Sequence, residues 1–406
     1  MSGIISPIDE RQLAEAVAGA ASAKTPLEIC GNGSKSAIGR PIQTESQLTT
    51  QALAGITLYE PSELVLSARS GTPLNEVEAA LAQNRQQLAF EPVDMSAALG
   101  EAPGKATIGS VFAMNYSGAR RIFSGAARDH FLGVRAVNGR GELFKSGGRV
   151  LKNVTGYDLC RGLAGSWGTL AVMSEVTVKV LPMAEVSGTL IYDGLTDEVA
   201  VEALCAAMGT PYEVSGAIHL HGELADALGL GWLGNAGSSV TALRLETRRT
   251  SLDYRGERLA EALAAFGQPR ALEDSRSRQF WSAWRELKFL QEAGGAVWRI
   301  STMPRTGPAL VSAIARNIEC QAAYDWAGGL IWLLILSARD AAFSDVRRVI
   351  AEVGGHATLV RADPAIRAKV DVFQTLDPGI ARLTAGIKQA YDPNGILNPG
   401  RMYAGV

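Results

Sequence analysis

The chain has 406 residues, of which 47% are apolar, and its 39 basic residues nearly balance 41 acidic ones. This length and composition are typical of a globular protein with two or three packed domains, and the balanced charge excludes a broad cationic face for nucleic acid. Four scattered cysteines without a C-x-x-C pair, and only four histidines, argue against an iron–sulfur or zinc centre held by this chain alone. We therefore expect no metal site and reduced thiols, as in cytosolic proteins.

The hydropathy pattern gives no export or membrane signal. Asp9, Glu10 and Arg11 stand where a secretory peptide needs an apolar stretch, and the longest apolar run, 326–336, is shorter than the ~20 residues that span a bilayer. The sequence predicts a soluble, cytoplasmic chain that contacts the inner face of a membrane only indirectly, through partners.

In chain order, the first predicted elements are a helix over residues 9–23 and an extended segment over 27–30 that leads into a glycine-rich loop. A second helix is predicted with Thr72 as N-cap and Pro73 as its first residue. Short segments separated by glycines follow from 104 to 181, with a strand over 170–180. Leu181-Pro182 ends this strand, and we place a domain boundary there.

Strands and helices alternate beyond this boundary, which predicts an α+β domain with helices on an antiparallel sheet. Strands are predicted near 186–192, 213–220, 238–246, 296–304, 328–337 and 356–362, and helices near 196–208, 252–266, 307–319 and 340–353. No internal repeat is visible in the sequence. The last helix is predicted to begin at Asp377-Pro378, to present Ile380, Leu383 and Ile387 on one face, and to end at Asp392.

The glycine-rich loop after the first strand is the first candidate site. Successive backbone N–H groups in Gly31-Asn32-Gly33-Ser34-Lys35 can form an anion-binding nest for a pyrophosphate. The loop lacks the third glycine of G-x-G-x-x-G and the Gly-Lys pair of a Walker loop, so a tight turn explains it as well. Glycines recur from 104 to 168 with small residues and polar donors between them, which indicates that the backbone approaches a large ligand such as a dinucleotide.

Five motifs, in this order, resemble those of vanillyl-alcohol-oxidase-type flavoproteins, which carry a PCMH-type FAD-binding domain. They are Ala106-Thr107-Ile108-Gly109-Ser110, Arg128-Asp129-His130-Phe131-Leu132-Gly133, Lys152-Asn153-Val154-Thr155-Gly156-Tyr157-Asp158, Gly165-Ser166-Trp167-Gly168-Thr169-Leu170 and Asp392-Pro393-Asn394-Gly395-Ile396-Leu397-Asn398-Pro399-Gly400-Arg401. Within that family the chain most resembles the FAD-binding E subunits of bacterial glycolate oxidases.

The resemblance implies an α+β fold in three parts. A PCMH-type FAD-binding domain would span 1–184, with α+β subdomains of about 1–60 and 61–184. A ferredoxin-like α+β cap domain would follow over 185–364, and a C-terminal helix and tail, 365–406, would return to the flavin.

The resemblance also implies a non-covalent FAD and its contacts. The Gly31 loop and Gly109-Ser110 would hold the pyrophosphate, whereas Lys152 and Arg401 are candidates to stabilise negative charge near flavin N1. The residues expected at the cofactor are Gly31, Asn32, Gly33, Ser34, Lys35, Ala106, Thr107, Gly109, Ser110, Asn115, Gly118, Arg121, Arg128, Asp129, Lys152, Asn153, Thr155, Gly156, Tyr157, Gly165, Ser166, Gly168, Thr169, Asn398 and Arg401.

The regions expected to bind substrate differ in sequence from the matching motifs of related hydroxy-acid dehydrogenases. Those proteins carry a Gly-Asp-Gly-Asn-x-His stretch and a Gly-Glu-His-Gly motif, where this chain has 325–332 and Gly354-Gly355-His356. The resemblance therefore supplies neither a catalytic base nor a substrate-bound metal here. Arg285, in a Phe-Trp-x-x-x-Arg-Glu helix, and Arg299 are candidate carboxylate clamps, and a structural role is an equal alternative for both.

The remaining histidines have simpler interpretations. His219 and His221 alternate along a predicted strand, where an exposed pair is expected rather than a metal site. His130 is expected to pack. Ser166 does not stand in a complete G-x-S-x-G elbow, which excludes a serine hydrolase.

Three functions remain open from the sequence. The first is a FAD-binding subunit of glycolate oxidase, which supports oxidation of glycolate to glyoxylate beside a related catalytic FAD subunit and an iron–sulfur subunit that carries electrons onward. The second is a self-sufficient FAD-dependent dehydrogenase of small 2-hydroxy acids. The third is a non-catalytic structural flavoprotein subunit.

Overall fold

The structure is a computed structural model that describes residues 3–149, 157–234, 236–291 and 293–405. It divides into two compact units. The first unit comprises Met1–Ser117, Gly125–Met183 and Thr375–Val406, and the second comprises Gly118–Ser124 and Ala184–Gln374.

The first unit is an α+β structure. Its strands are β1 (Gly3–Ile5), β2 (Leu27–Cys30), β3 (Ser46–Thr49), β4 (Ile56–Glu60), β5 (Val65–Arg69), β6 (Gln86–Gln87), β7 (Phe131–Asn138), β8 (Leu143–Gly147), β9 (Ala171–Lys179) and β10 (Leu181–Pro182). The helices up to β9 are α1 (Glu10–Ala23), α2 (Leu74–Gln83), α3 (Ile108–Met114), α4 (Arg121–Ser124) and α5 (Leu159–Leu163), of which α4 lies in the segment that belongs to the second unit.

The first unit contains two larger sheets and a two-stranded antiparallel sheet formed by β6 and β10. A parallel sheet has the strand order β1-β3-β2, and an antiparallel sheet has the order β4-β5-β9-β7-β8. Helix α1 buries Leu13 and Val17 in a core shared with the parallel sheet, whereas α2 and α3 bury Val77 and Phe112 against the antiparallel sheet. The core around α1 also contains Val137 of β7 and Val172 of β9, and the loop after β2 lies in the same unit as α3.

Local sequence explains where these helices begin. The Asp9 side chain accepts a hydrogen bond from the Gln12 N–H at 2.8 Å, which confirms the predicted start of α1. The predicted cap of α2 is wrong by one residue, because Pro73 is the N-cap and Leu74 the first helical residue. Thr72 instead donates its hydroxyl to the carbonyls of Arg69 and Gly55, so it stabilises the preceding turn.

The second unit contains one antiparallel sheet of eight strands. Its strands are β11 (Val186–Asp193), β12 (Val214–Leu220), β13 (Val240–Thr247), β14 (Arg270–Leu272), β15 (Ala296–Ser301), β16 (Cys320–Asp325), β17 (Leu330–Ile335) and β18 (His356–Arg361). Its further helices are α6 (Asp197–Met208), α7 (Gly222–Asp226), α8 (Arg249–Ala262), α9 (Asp274–Arg285), α10 (Lys288–Gln291), α11 (Gly307–Ala315), α12 (Phe343–Val353) and α13 (Pro364–Arg367).

The sheet contains a duplication that the sequence does not reveal. Its order is β14-β11-β13-β12-β16-β17-β15-β18, so each half is a βαββαβ unit with the ferredoxin-like arrangement, and β12 pairs with β16 between the halves. The predicted α+β fold class is confirmed. Strand β16 was missed because Cys320–Asp325 has no alternation of apolar and polar residues.

Helix α14 (Pro378–Tyr391) belongs to the first unit and confirms the predicted last helix. The Asp377 side chain caps it by accepting the Gly379 N–H at 2.8 Å. The segment after α14 adds to the edge of the parallel sheet, where Leu397 pairs with Leu27 of β2. None of the helices in the described part of the chain is long and apolar enough to cross a membrane.

Candidate functional site

A cavity in the first unit collects segments that are far apart in sequence. It is lined by the loop after β2, the start of α3, strand β9 and residues near Trp167 and Arg401, with about 670 Å³ of atom-free space that includes solvent at its mouth. The predicted cofactor residues at this cavity are Gly31, Asn32, Gly33, Ser34, Lys35, Thr107, Gly109, Ser110, Gly168 and Arg401. The structure therefore brings together the glycine-rich loop, the Gly109 motif and the C-terminal tail.

Two buried polar atoms at the cavity lack an internal hydrogen-bond partner. Among the described residues, Asn32 Oδ1 and Ser70 Oγ are buried and accept or donate no hydrogen bond within the chain. Buried polar atoms are almost always satisfied in folded proteins. These atoms therefore fit a polar ligand that occupies the cavity.

Lys35 places a cation at the same cavity. Its side chain is only 6% exposed, and Nζ donates to the hydroxyls of Ser34 and Ser110, each at 3.1 Å. Burial lowers the pKa of Lys35 to about 8, against which the charge of Asp94 acts weakly. A buried ammonium held by neutral hydroxyls suits an anionic group such as a pyrophosphate.

Two glycines are required because the segments around the cavity pack tightly. A Cβ at Gly31 would lie 2.7 Å from Thr107 Oγ1, and a Cβ at Gly109 would lie 2.7 Å from both Cβ and the carbonyl oxygen of Ser70. Any larger residue would push the loop, the α3 segment or the Ser70 turn apart. These glycines thus shape the cavity by close backbone approach.

The C-terminal tail is fixed into this region by buried hydrogen bonds. Asn398 Oδ1 accepts from the Ile29 N–H at 2.7 Å, and its Nδ2 donates to the Trp167 carbonyl at 2.7 Å. Arg401 Nη2 donates to the carbonyls of Lys35 and Ile38 at 2.9 and 3.2 Å. Asn398 therefore holds two cavity segments together without lining the cavity, and Arg401 holds the glycine-rich loop.

Lys388 and Asp392 complete this connection. Lys388 Nζ donates to Asp392 Oδ2 at 2.7 Å and to the carbonyls of Thr169 and Leu397 at 2.7 and 2.9 Å. Burial lowers the pKa of Lys388, whereas its bond to Asp392 opposes that change. The carboxylate of Asp392 also accepts from the backbone of Ile396 and Leu397.

Several predicted cofactor residues do not line this cavity. Ala106 packs in the core, the Asn115 side chain accepts from the Arg128 N–H at 3.0 Å, and the Asp129 side chain accepts from the Ala126 N–H at 2.9 Å. The other such residues are Gly118, Arg121, Arg128, Tyr157, Gly165, Ser166 and Thr169. Gly118 and Arg121 belong to the second unit, and Tyr157 is 89% exposed.

One predicted motif lies largely outside the described residues. Lys152, Asn153, Thr155 and Gly156 fall within 150–156, so their contribution to the cofactor stays a prediction. The cavity also contains residues that were not among the predicted cofactor residues. These are Ile29, Cys30, Ser36, Thr50, Ser70, Ala113, Met114, Trp167, Ala171, Val172 and Met173. Trp167 lies inside one of the five motifs, and Ile29, Cys30 and Ser36 adjoin the glycine-rich loop, so the sequence carried a signal for these four residues.

The candidate substrate residues lie in the second unit. Arg299 of β15 is 8% exposed, and its Cζ lies 5.1 Å from the Trp326 ring centroid and 6.0 Å from that of Trp332. Arg121 Cζ lies 4.2 Å from the same Trp326 ring. Desolvation, followed by the charges of Arg299 and Arg121, lowers the pKa of His356. Arg285 is a half-buried residue at the end of α9.

The expectation of an exposed histidine pair is wrong for His219. This residue is fully buried, with Nδ1 2.9 Å from Thr241 Oγ1 and Nε2 3.2 Å from Asp197 Oδ1. His221 is exposed and precedes α7. His130 packs against the Phe90 ring at 5.4 Å, as expected.

The described residues contain no cluster of three or more His, Cys, Asp or Glu side chains that could hold a metal ion.

Comparison with known proteins is consistent with this geometry. Residues 1–147 match the FAD binding domain family. The solved structure of 4-ethylphenol oxidase from Gulosibacter chungangensis superposes with a TM-score of 0.74, over 99% of this chain and 89% of that chain, at 14% identity. The fold and the cavity together define a flavoprotein with a PCMH-type FAD-binding fold, and FAD is its cofactor.

Two curated relatives narrow the family. The glycolate oxidase subunit GlcE of Escherichia coli (strain K12) is 35% identical over 394 residues, which cover 97% of each chain. The glycolate oxidase subunit GlcD of Bacillus subtilis (strain 168) is 24% identical over 330 residues, covering 73% of this chain and 68% of that protein. The chain belongs to the glycolate oxidase subunit GlcE family of FAD-linked oxidoreductases.

Proposed function

We propose that this chain is the FAD-binding subunit of a glycolate oxidase complex, in which it supports oxidation of glycolate to glyoxylate. The observation that carries the proposal is the 35% identity to a glycolate oxidase subunit over 97% of both chains, which includes both compact units. The cavity with its unsatisfied polar atoms and buried Lys35 supports the cofactor-binding part of the proposal independently.

The residues at the cavity have separate roles in this proposal. The backbone of Gly31 to Ser34 and the Lys35 ammonium hold the pyrophosphate, while Asn32 and Ser70 supply hydrogen bonds to the cofactor. Arg401 and Asn398 keep the loop and the Trp167 segment in place. The bound flavin supplies a two-electron acceptor.

We further propose that substrate is oxidised mainly on a related catalytic FAD subunit, and that an iron–sulfur subunit accepts electrons. The activity is that of an FAD-dependent oxidoreductase on the CH–OH group of 2-hydroxy acids, expressed only in the complex. The similarity to GlcD, also a glycolate oxidase subunit, supports a complex of related chains.

The visible flavin spectrum of the isolated chain tests whether substrate is oxidised on the related catalytic FAD subunit and not on this chain. We expect the chain to purify with FAD that dissociates on denaturation, and glycolate added without oxygen to leave the spectrum unchanged. Adding the partner subunits restores bleaching by glycolate. Bleaching of the isolated chain would contradict the proposal, and so would failure of the reconstituted complex to oxidise glycolate.

A self-sufficient 2-hydroxy acid dehydrogenase is the second candidate, because Arg299 and Arg121 gather beside Trp326 in the second unit. Such a pair could bind a carboxylate. In that case glycolate bleaches the flavin of the isolated chain, and Arg299→Met raises the glycolate concentration needed for half-bleaching at least about tenfold. A chain that purifies folded but without FAD indicates the third candidate, a structural subunit.

Gly109→Val tests the placement of the cofactor. The new Cβ would lie 2.7 Å from Ser70 and displace the start of α3, so we expect FAD retention to be lost while the second unit stays folded. Gly162→Val is the matched control, because no atom lies within 4 Å of its Cβ position. Full flavin in purified Gly109→Val would contradict the placement.

A further inference from the structure

Trp167 is held in a backbone conformation that its side chain disfavours. Its φ angle is 56°, in the left-handed region, and the nearby Gly165 and Gly168 have φ angles of 84° and 72°. Glycine adopts this region at no steric cost, whereas a bulky side chain rarely enters it. Among the described residues that line the cavity, Trp167 is the one non-glycine residue with a positive φ angle. Backbone strain of this kind is concentrated at ligand sites.

Hydrogen bonds from two other segments fix this turn. The Trp167 N–H donates to the Ala113 carbonyl of α3 at 3.0 Å, and the Trp167 carbonyl accepts from Asn398 Nδ2 at 2.7 Å. The Gly165 N–H donates to the Phe112 carbonyl at 3.0 Å. A glycine at position 167 would make the same backbone bonds without strain. These bonds therefore explain the shape of the turn but not the indole that it carries.

The indole gives the cavity an aromatic surface. Trp167 is 6% exposed and lines the cavity, where Arg401 Cζ lies 5.7 Å from its ring centroid. The Tyr116 ring lies 5.8 Å away at an interplanar angle of 84°. Trp167 is the one aromatic residue among the described residues that line the cavity, whereas apolar neighbours such as Ala113 and Val172 are aliphatic.

We infer that the Trp167 indole stacks on an aromatic ring system of FAD, an inference that rests on the cofactor placement in the proposed function. FAD carries two flat ring systems, adenine and isoalloxazine, on either side of its pyrophosphate. Both offer the chemistry that an indole recognises, a flat π surface that prefers offset stacking. The Arg401 guanidinium, which lies over the indole, extends the same stack.

A purely structural role leaves the strain at Trp167 unexplained. Several tryptophans are buried in the second unit without a positive φ angle, namely Trp281, Trp284, Trp298 and Trp332. The other described tryptophan with a positive φ angle is Trp326, at 52°. Its ring lies beside Arg121 and Arg299, the candidate carboxylate site. Strained tryptophans in this chain thus lie at candidate ligand sites, whereas tryptophans that fill the core of the second unit have ordinary backbones.

Titration of the apoprotein with FAD tests the inference. Trp167→Leu removes the ring and keeps an apolar side chain, whereas Trp167→Phe keeps a ring. We expect Trp167→Leu to weaken FAD binding at least about fivefold and Trp167→Phe to stay within about threefold of the unaltered chain. Trp232→Leu is the matched control, because Arg276 Cζ lies 5.4 Å from this ring in the second unit, and it should bind FAD normally.

Trp167→Gly keeps the test valid if the leucine variant fails to fold. Glycine suits the φ angle of 56° and removes the ring, so FAD binding should again fall at least about fivefold. Thermal unfolding of each apoprotein shows whether it is folded. Unchanged FAD binding in the variants without a ring would overturn the inference. An equal loss in Trp167→Phe and Trp167→Leu would also overturn it, because that result indicates packing and not stacking.

Competition with fragments of the cofactor identifies the ring. ADP and FMN are each used to displace FAD from the apoprotein. A selective loss of ADP binding in Trp167→Leu assigns the indole to adenine, and a selective loss of FMN binding assigns it to isoalloxazine. No loss for either fragment overturns the inference. An equal loss for both fragments does so too, since it indicates a distorted phosphate site.

Lys35→Met, measured in the same titration, separates this inference from the proposed function. If neither Lys35→Met nor Trp167→Leu changes FAD affinity, the cavity does not hold FAD and the cofactor placement in the proposed function fails as well. If Lys35→Met weakens FAD binding and Trp167→Leu does not, the placement stands and the ring contact alone is wrong.

Discussion

Buried polar groups at the cavity of the first unit differ in their hydrogen bonding from those around His219 in the second unit. In the cavity, Asn32 Oδ1 and Ser70 Oγ lack partners among the described residues, and Lys35 is held only by hydroxyls. In the sheet, His219 is bonded to Asp197 and Thr241, and the Tyr324 hydroxyl donates to Asp197 at 2.6 Å.

This difference separates a cavity suited to a ligand from the polar cluster around His219, although the second unit also contains one buried hydroxyl, that of Tyr192, without a hydrogen-bond partner among the described residues. An unsatisfied buried group carries a free-energy cost that a ligand or an ordered water removes, whereas mutually bonded groups fix a fold. Substitutions in the second unit should therefore lower stability without changing FAD binding. Substitutions at the cavity should change FAD binding with little loss of stability.

The largest expected effect is on stability, from Glu246→Ala in the second unit. Glu246 pairs with Arg120 and lies 3.4 Å from the buried Arg244, so its removal leaves two arginines without this carboxylate. We expect the free energy of unfolding to fall by about 3–5 kcal/mol, measured by chemical denaturation, with FAD content of the folded protein unchanged. Glu257→Ala, at an exposed position of α8, is the control and should change little.

Lys35→Met should have the opposite effects to Glu246→Ala, because it should weaken FAD binding without lowering the stability of the apoprotein. Loss of the charge-assisted bonds that we propose between Lys35 and the pyrophosphate should weaken FAD binding about 10- to 100-fold, as measured by titration of the apoprotein. The unfolding temperature of the apoprotein should stay the same or rise, because a desolvated cation is removed. Lys145→Met, at an exposed lysine of β8, serves as the control. A large loss of apoprotein stability would contradict this prediction, because it would show that Lys35 stabilises the fold without the cofactor.

The pH dependence of apoprotein stability and of FAD affinity gives a second test of the role of Lys35. Burial lowers its pKa from the ordinary 10.5 to about 8, so between these values the unfolded apoprotein binds more protons and apoprotein stability rises with pH. A bound pyrophosphate favours the charged form, so FAD affinity should be constant below about pH 8 and then fall by at most about tenfold per pH unit. Lys35→Met should show no such fall in a fluorescence titration from pH 7 to 10.

The smallest expected effects are those of substituting two buried serines, one at the cavity and one within a hydrogen-bonded pair. Ser70 Oγ has no hydrogen-bond partner among the described residues, whereas Ser67 Oγ lies 2.8 Å from Thr177 Oγ1. Ser70→Ala should weaken FAD binding about threefold to tenfold and leave apoprotein stability unchanged, while Ser67→Ala should lower stability by about 1 kcal/mol without affecting FAD. Equal behaviour of the two variants in these measurements would remove the distinction between the regions.

The sequence predicted those parts of the fold that depend on neighbouring residues. The Asp9 cap of α1, the extended segment before Gly31 and the Asp377-Pro378 start of α14 all have local signals. Thr50, Ser70 and Met173 have none, because they reach the cavity only through strand pairing and tight packing. Asn398 was expected at the cofactor because its motif is there, but its amide is used to join β2 to the Trp167 segment.

The duplicated topology of the second unit could not be predicted for a related reason. The two βαββαβ halves share an arrangement of strands without a visible repeat in sequence, and what joins them is the pairing of β12 with β16. Burial of His219 also depends on long-range contacts, since Thr241 and Asp197 lie on other elements. Alternation along a strand gives the face of a residue but not what covers that face.

The bonds between Ile29 and Asn398 join residues 369 positions apart. Ribosomes extend chains at roughly 5–20 residues per second, so roughly 20–70 s separate the synthesis of these two residues. During that interval the glycine-rich loop has neither its Arg401 contacts nor the Leu397 edge of the parallel sheet. We therefore expect flavin to bind only after the C-terminal tail has been synthesised, and a chain truncated before Asn398 to retain less flavin.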